Sequence, residues 1–129
     1  MSLPIYVTQD KWQDFDDAWN ELMGTDAPID ELLVAIKLAG DKKRIPRCVP
    51  LVKQHVELLE IADRHADAAR LLGATIQAGA PTANLLDTLM SNAQLAWGQE
   101  PWWDRALELT GLADPGQVRK AWGGGVAPV

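Results

Sequence analysis

The sequence predicts an all-α domain of about seven short antiparallel helices stacked as irregular helical hairpins. Three observations carry this. Apolar residues recur at helical spacing along almost the whole chain. No run of four or more β-branched residues alternates with polar ones, so strands are not expected. Glycines and prolines divide the chain into helices of about ten to sixteen residues joined by loops of roughly three to five, which forces neighbours to lie antiparallel.

Thr8 can cap a first helix over residues 9–23, where Trp12, Phe15, Trp19, Leu22 and Met23 make one apolar stripe and Gly24 a stop. Pro28 suits the first position of a second helix, because its missing N–H has no intrahelical partner there. Ile29, Leu32, Leu33 and Ile36 form its core face, and Gly40 ends it. A third helix starts near Pro46 or Arg47, which places Pro50 in the first turn; a kink at Pro50 is the other option. It runs to about Ile61 with Val49, Val52, Val56 and Leu59 inward.

A fourth helix covers 65–78 on Ala68, Leu71, Leu72 and Ile76, and Gly79, Ala80 and Pro81 break it. The fifth runs over about 82–97 with Leu86, Leu89, Met90, Ala93 and Trp97 as its stripe. Pro101 opens a sixth that stops at Gly111, and Asp114 with Pro115 caps a short seventh ending near Trp122. Residues 1–122 then form a single helical repeat domain, and the glycine-rich 123–129 reads as a disordered tail or linker.

With 129 residues, 47% of them hydrophobic, the chain can bury one core without a covalent staple. Its only cysteine, Cys48, excludes an internal disulfide and a thiolate-rich zinc site, which points to a reducing, cytoplasmic setting. The longest apolar run is residues 32–36, too short for a membrane span, and residues 1–4 lack the basic and apolar regions of a signal peptide.

Charge is unevenly spread. Residues 1–31 hold Asp10, Asp14, Asp16, Asp17, Glu21, Asp26, Asp30 and Glu31 against Lys11 alone, whereas in residues 37–53 Lys37, Lys42, Lys43, Arg44, Arg47 and Lys53 face only Asp41. The two blocks are expected to pair within the fold, with two separate docking surfaces as the alternative. The net charge of −6 disfavours nucleic acid, which is bound largely through clustered cations, although the basic 42–53 patch leaves a local contact open.

The segment 63–72, Asp63-Arg64-His65-Ala66-Asp67-Ala68-Ala69-Arg70-Leu71-Leu72, resembles the turn and second helix of a tetratricopeptide unit, in which a small Ala lets two helices approach. Residues 99–109, with Pro101-Trp102-Trp103 and Ala106, resemble it again, and 11–19 gives a looser echo. The offset from Ala68 to Ala106 is 38 residues, against ~34 in a regular tetratricopeptide array.

The order Trp12…Phe15-Asp16-x-Ala18-Trp19, Ile29-x-x-Leu32-Leu33-x-Ala35-Ile36, Arg64-His65-x-Asp67-Ala68-Ala69-x-Leu71-Leu72-Gly73 and Leu107-x-x-Thr110-Gly111-Leu112 carries a second likeness. It resembles the helical N-terminal region of some long bacterial Gre-type transcription elongation factors, over residues 9–122. The acidic coiled coil on which Gre-type activity depends is not in this chain. The resemblance therefore implies a helical scaffold that docks a protein partner beside the transcription machinery.

No catalytic, cofactor or metal site is predicted. Cys48, His55 and His65 are too few and too widely spaced for a zinc site. Asp14, Asp16 and Asp17 lack the glycine of a calcium loop and lie on a helical stripe. Neither a nucleophile with its base nor a phosphate-cradling glycine loop is present. Arg44, Arg47, Lys53 and Glu57 could line a small helical enzyme, a minor alternative.

The favoured function is a protein–protein interaction domain, an adaptor or scaffold, with no membrane contact and with apolar stack ends that allow a homodimer. The candidate partner-binding residues are Lys43, Arg44 and Arg47 of the basic patch, and Trp102 and Trp103. Trp12 and Trp19 belong to the core stripe. Trp102 and Trp103, adjacent on a helix, point about 100° apart, so one of them should be partly exposed.

Overall fold

The computed structural model describes residues 3–23, 25–26, 28–82 and 85–111. All regular structure among these residues is helical: α1 (Leu3–Thr8), α2 (Trp12–Met23), α3 (Asp30–Asp41), α4 (Ile45–Ile61), α5 (His65–Gln77), α6 (Leu86–Trp97) and α7 (Trp102–Thr110). The predicted helix beginning at Asp114 and the 123–129 tail lie outside the described residues, as does Gly24.

Consecutive helices pack as antiparallel hairpins except α2 and α3, which make little contact, and alternate helices also touch: α1 on α3, α3 on α5, α5 on α7, and α2 on α4. The odd-numbered helices form one layer and run parallel. Lys42, just past the end of α3, bonds the Thr8 carbonyl at the end of α1, and Gln77 at the end of α5 donates to the Leu109 carbonyl near the end of α7. The C-termini of α1, α3, α5 and α7 therefore gather at one end, the upper one, together with the N-termini of α2 and α4.

Helix α5 is the hub. Its Ala68, Ala69, Leu71, Leu72, Gly73, Thr75 and Ile76 are all buried. Two glycines set how closely its neighbours come. A Cβ on Gly73 would lie 2.6 Å from the Leu109 carbonyl oxygen, and one on Gly40 would lie 2.8 Å from the Ala78 carbonyl oxygen and Cβ. Gly40 thus lies inside α3 as a packing residue rather than ending it. Helix continuation costs about 1 kcal/mol for a glycine, offset here by backbone approach that a side chain would prevent.

The other differences from expectation are local. Residues 3–8 form a helix that periodicity missed, because six residues hold too little pattern; Leu3 and Val7 anchor it. Thr8 ends that helix, its hydroxyl donating to the Ile5 carbonyl at 2.8 Å, and so does not cap α2, which starts at Trp12. Buried Ile29, not Pro28, stands at the N-cap of α3. Pro50 falls in the second turn of α4 and forgoes the bond to the Pro46 carbonyl; both prolines are exposed, which leaves that carbonyl on the solvent side. Thr82 belongs to a tight turn closed by the Leu85 N–H, and α6 begins only at Leu86. Gly111 adopts the left-handed conformation and ends α7 where expected.

Candidate functional site

The α3–α4 turn is built by local backbone chemistry. The Lys43 N–H bonds the Gly40 carbonyl at 3.0 Å and the Arg44 N–H bonds the Ala39 carbonyl at 2.8 Å, the paired closure of a helix ending in a left-handed residue. Lys43 is that residue, at φ 59°. Lys42 turns toward α1 and bonds both the Thr8 carbonyl and an Asp10 carboxylate oxygen at 3.1 Å.

One turn into α4, Arg47 donates to Asp16 at 2.9 Å while its guanidinium lies 5.0 Å from the centre of the Trp12 ring. The acidic and basic blocks of the sequence therefore do pair, through Lys42–Asp10 and Arg47–Asp16. These pairs fix side chains more than they add stability, since exposed ion pairs are worth about 0–1 kcal/mol.

Trp12, expected in the core, is half-buried. One edge meets Phe15 at 5.4 Å between ring centres, and Arg47 covers a face. Phe15 and Trp19 behind it are fully buried. Between the α1–α2 and α3–α4 turns lies an open concavity of about 640 Å³ lined by Asp10, Trp12, Lys43, Arg44, Pro46 and Arg47. Lys43 and Arg44 are exposed and have no ion-pair partner among the described residues. The first N–H groups of α2 and α4 point toward the same end, and no side chain caps α4. The concavity is thus electropositive, with an indole and a proline ring on its wall.

The structure brings Lys43, Arg44 and Arg47 together and places the tryptophan pair elsewhere. Trp102 and Trp103 open α7 at the lower end, edge to face at 5.8 Å. Trp103 is buried at 7% exposure and Trp102 half-buried, so Trp102 is the more accessible of the two. Close by, Arg105 covers the Trp97 ring at 4.7 Å and pairs with Glu100 at 2.8 Å.

The candidate metal ligands have separate structural roles. The Cys48 thiol is fully buried and lies 3.8 Å from the Arg44 carbonyl; burial pushes its pKa up to about 11. His55 is buried and accepts a 2.9 Å hydrogen bond on Nδ1 from the Trp19 indole. Burial, helped by the Arg64 charge, pushes its pKa down from the ordinary value. His65 donates from Nδ1 to Oδ1 of buried Asn92 at 2.8 Å, and the Asn92 amide donates to Glu60 at 3.0 Å and to the Thr88 carbonyl at 2.8 Å.

This Asn92 joint ties α4, α5 and α6, and sequence reasoning missed it, as it missed Trp12 and Pro46 as groove walls. A lone Asn in an apolar stripe gives no signal of which helices it will join. No group of three or more His, Cys, Asp or Glu side chains among the described residues is placed to hold a metal ion, and none of the described helices is long and apolar enough to cross a membrane. Comparison with family models, curated proteins and solved structures finds no match for this chain.

Proposed function

We propose that this chain is a protein-interaction domain that docks an acidic segment of a partner in the concavity between the α1–α2 and α3–α4 turns. The observation that carries the reading is the pair Lys43 and Arg44, exposed on that concavity without a carboxylate partner among the described residues, beside an Arg47 already held by Asp16 and Trp12. A guanidinium fixed in advance loses little entropy on binding, and cations at an accessible rim steer an anionic ligand. A nucleic acid is disfavoured because the chain carries a net charge of −6, and affinity for a long polyanion depends on many clustered cations.

Fluorescence polarisation with a labelled glutamate-rich peptide at low ionic strength tests the reading. The wild-type chain should bind, and the double variant Lys43→Glu/Arg44→Glu should bind about tenfold or more weakly. Equal binding by the two proteins overturns it, and preferential retention of a single-stranded oligonucleotide, falling steeply with salt, would favour the nucleic-acid reading instead. The proposal extends to the cytoplasmic setting that the lone cysteine suggests and to the association with transcription that the Gre-type resemblance implies, the latter tested by co-purification with bacterial RNA polymerase. A contact through Trp102, at the far end of the stack, would be a separate one.

A further inference from the structure

Three turns of this chain share one design. The connections 9–11, 42–44 and 62–64 each have three residues, and the middle one is left-handed: Asp10 at φ 56°, Lys43 at φ 59° and Asp63 at φ 59°. In each, the middle N–H bonds the carbonyl three residues back and the next N–H bonds the one five back. The pairs are Asp10 to Val7 with Lys11 to Tyr6, Lys43 to Gly40 with Arg44 to Ala39, and Asp63 to Glu60 with Arg64 to Leu59. That backbone favours glycine, and among other residues Asn and Asp, whose short polar side chains tolerate the left-handed region. Two of the three turns have Asp there. The third has lysine, which the turn itself does not favour.

The position of Lys43 gives a reason. It lines the concavity shared with Trp12, Arg44 and Arg47, and also a neighbouring one of about 460 Å³ between the ends of α3 and α5, whose walls include Lys37, Gly40, Gln77 and Ala78 and the exposed carboxylate of Asp41. Lys37 and Lys43 are both exposed, with no ion-pair partner among the described residues. We infer that Lys43 trades fold stability for binding: it anchors an extended acidic segment that crosses the α3–α4 turn, its carboxylates meeting Arg44 on one side and Lys37 on the other. The inference rests on the function proposed above and assigns the residue that selects the ligand and the path the ligand takes.

Four variants test it, each measured for its thermal unfolding midpoint and for polarisation binding of the same glutamate-rich peptide. Lys43→Gly should raise the midpoint by about 2–4 °C while weakening binding about tenfold. Lys43→Arg should keep wild-type affinity without the gain in midpoint. Lys37→Ala should weaken binding and leave the midpoint unchanged. Asp63→Gly relaxes the same turn geometry at the other end of α4, roughly 25 Å away, and should leave affinity unchanged. Wild-type affinity in Lys43→Gly, or a lowered midpoint in that variant, overturns this inference alone. Wild-type affinity in Lys37→Ala overturns the proposed path. Failure of the wild-type chain to bind the peptide overturns the proposed function and this inference together.

Discussion

Around α5 the backbones of α3 and α7 come so close that a single added carbon at Gly40 or Gly73 would overlap its neighbour, and the side chains between them are buried. Around the α3–α4 turn the chain is held instead by exposed ion pairs, a guanidinium on an indole and a left-handed lysine. The first region is rigid because close packing leaves no alternative arrangement. The second keeps charged groups in water, ready to exchange water for a ligand. Stability and recognition are thus placed in adjoining parts of one small stack that meet at Gly40 and Lys43, and substitutions away from that boundary should separate them.

The largest effect is expected at the hub. Gly73→Ala places a Cβ against the Leu109 backbone, which cannot yield as a flexible side chain would, and should destabilise the fold by about 2–3 kcal/mol in chemical denaturation. An unchanged midpoint would show that α5 and α7 are less tightly apposed than the structure places them. Next comes the buried joint between α2 and α4. His55→Phe leaves the Trp19 indole N–H without its acceptor and should cost roughly 1–3 kcal/mol, whereas His55→Asn, with an oxygen near the Nδ1 position, should recover part of the loss.

The same joint should make stability depend on pH. The folded pKa of His55 lies below the ordinary 6.5, so the unfolded chain takes up its proton first. The contribution of neutral His55 is complete above the unfolded value and is lost as pH falls through it toward the lower folded one. Wild-type denaturation midpoints should decline on acidification below about pH 6.5, and the slope should be shallower in His55→Asn. A pH-independent midpoint over that range would contradict the buried neutral imidazole.

Cys48 sharpens the comparison from the packed side. With its pKa near 11 and its side chain buried, it should react with a thiol reagent at pH 8 only as fast as the chain opens, and promptly in denaturant. The smallest effect belongs to the turn region. Lys42→Ala breaks the pair with Asp10 and should change stability by only a few tenths of a kcal/mol, because both partners are solvated.

Much of this architecture was legible in the chain. Phe15, Trp19, Leu32, Ile36, Val52, Val56, Leu71, Leu72, Leu89 and Met90 sit at helical spacing and are buried where the pattern put them. Boundaries were harder to read. Gly40 and Thr8 carry ordinary terminator and cap signals, yet one packs against Ala78 and the other closes a helix too short to show a period. Of the candidate binding residues, the basic patch was visible as a run of charge. Its companions were not, because Trp12 and Pro46 reach the same concavity only when two turns distant in sequence lie side by side.

Residue spacing along the chain was enough to establish that it is helical, roughly where its helices lie and which stripe each one buries, because those follow from the periodicity of a single element. Tertiary packing was needed to establish that alternate helices touch one another, that glycines rather than large side chains space them around α5, and that a left-handed lysine stands between two adjoining concavities. These depend on which elements meet, and short-range periodicity along one helix does not encode which neighbour it will face.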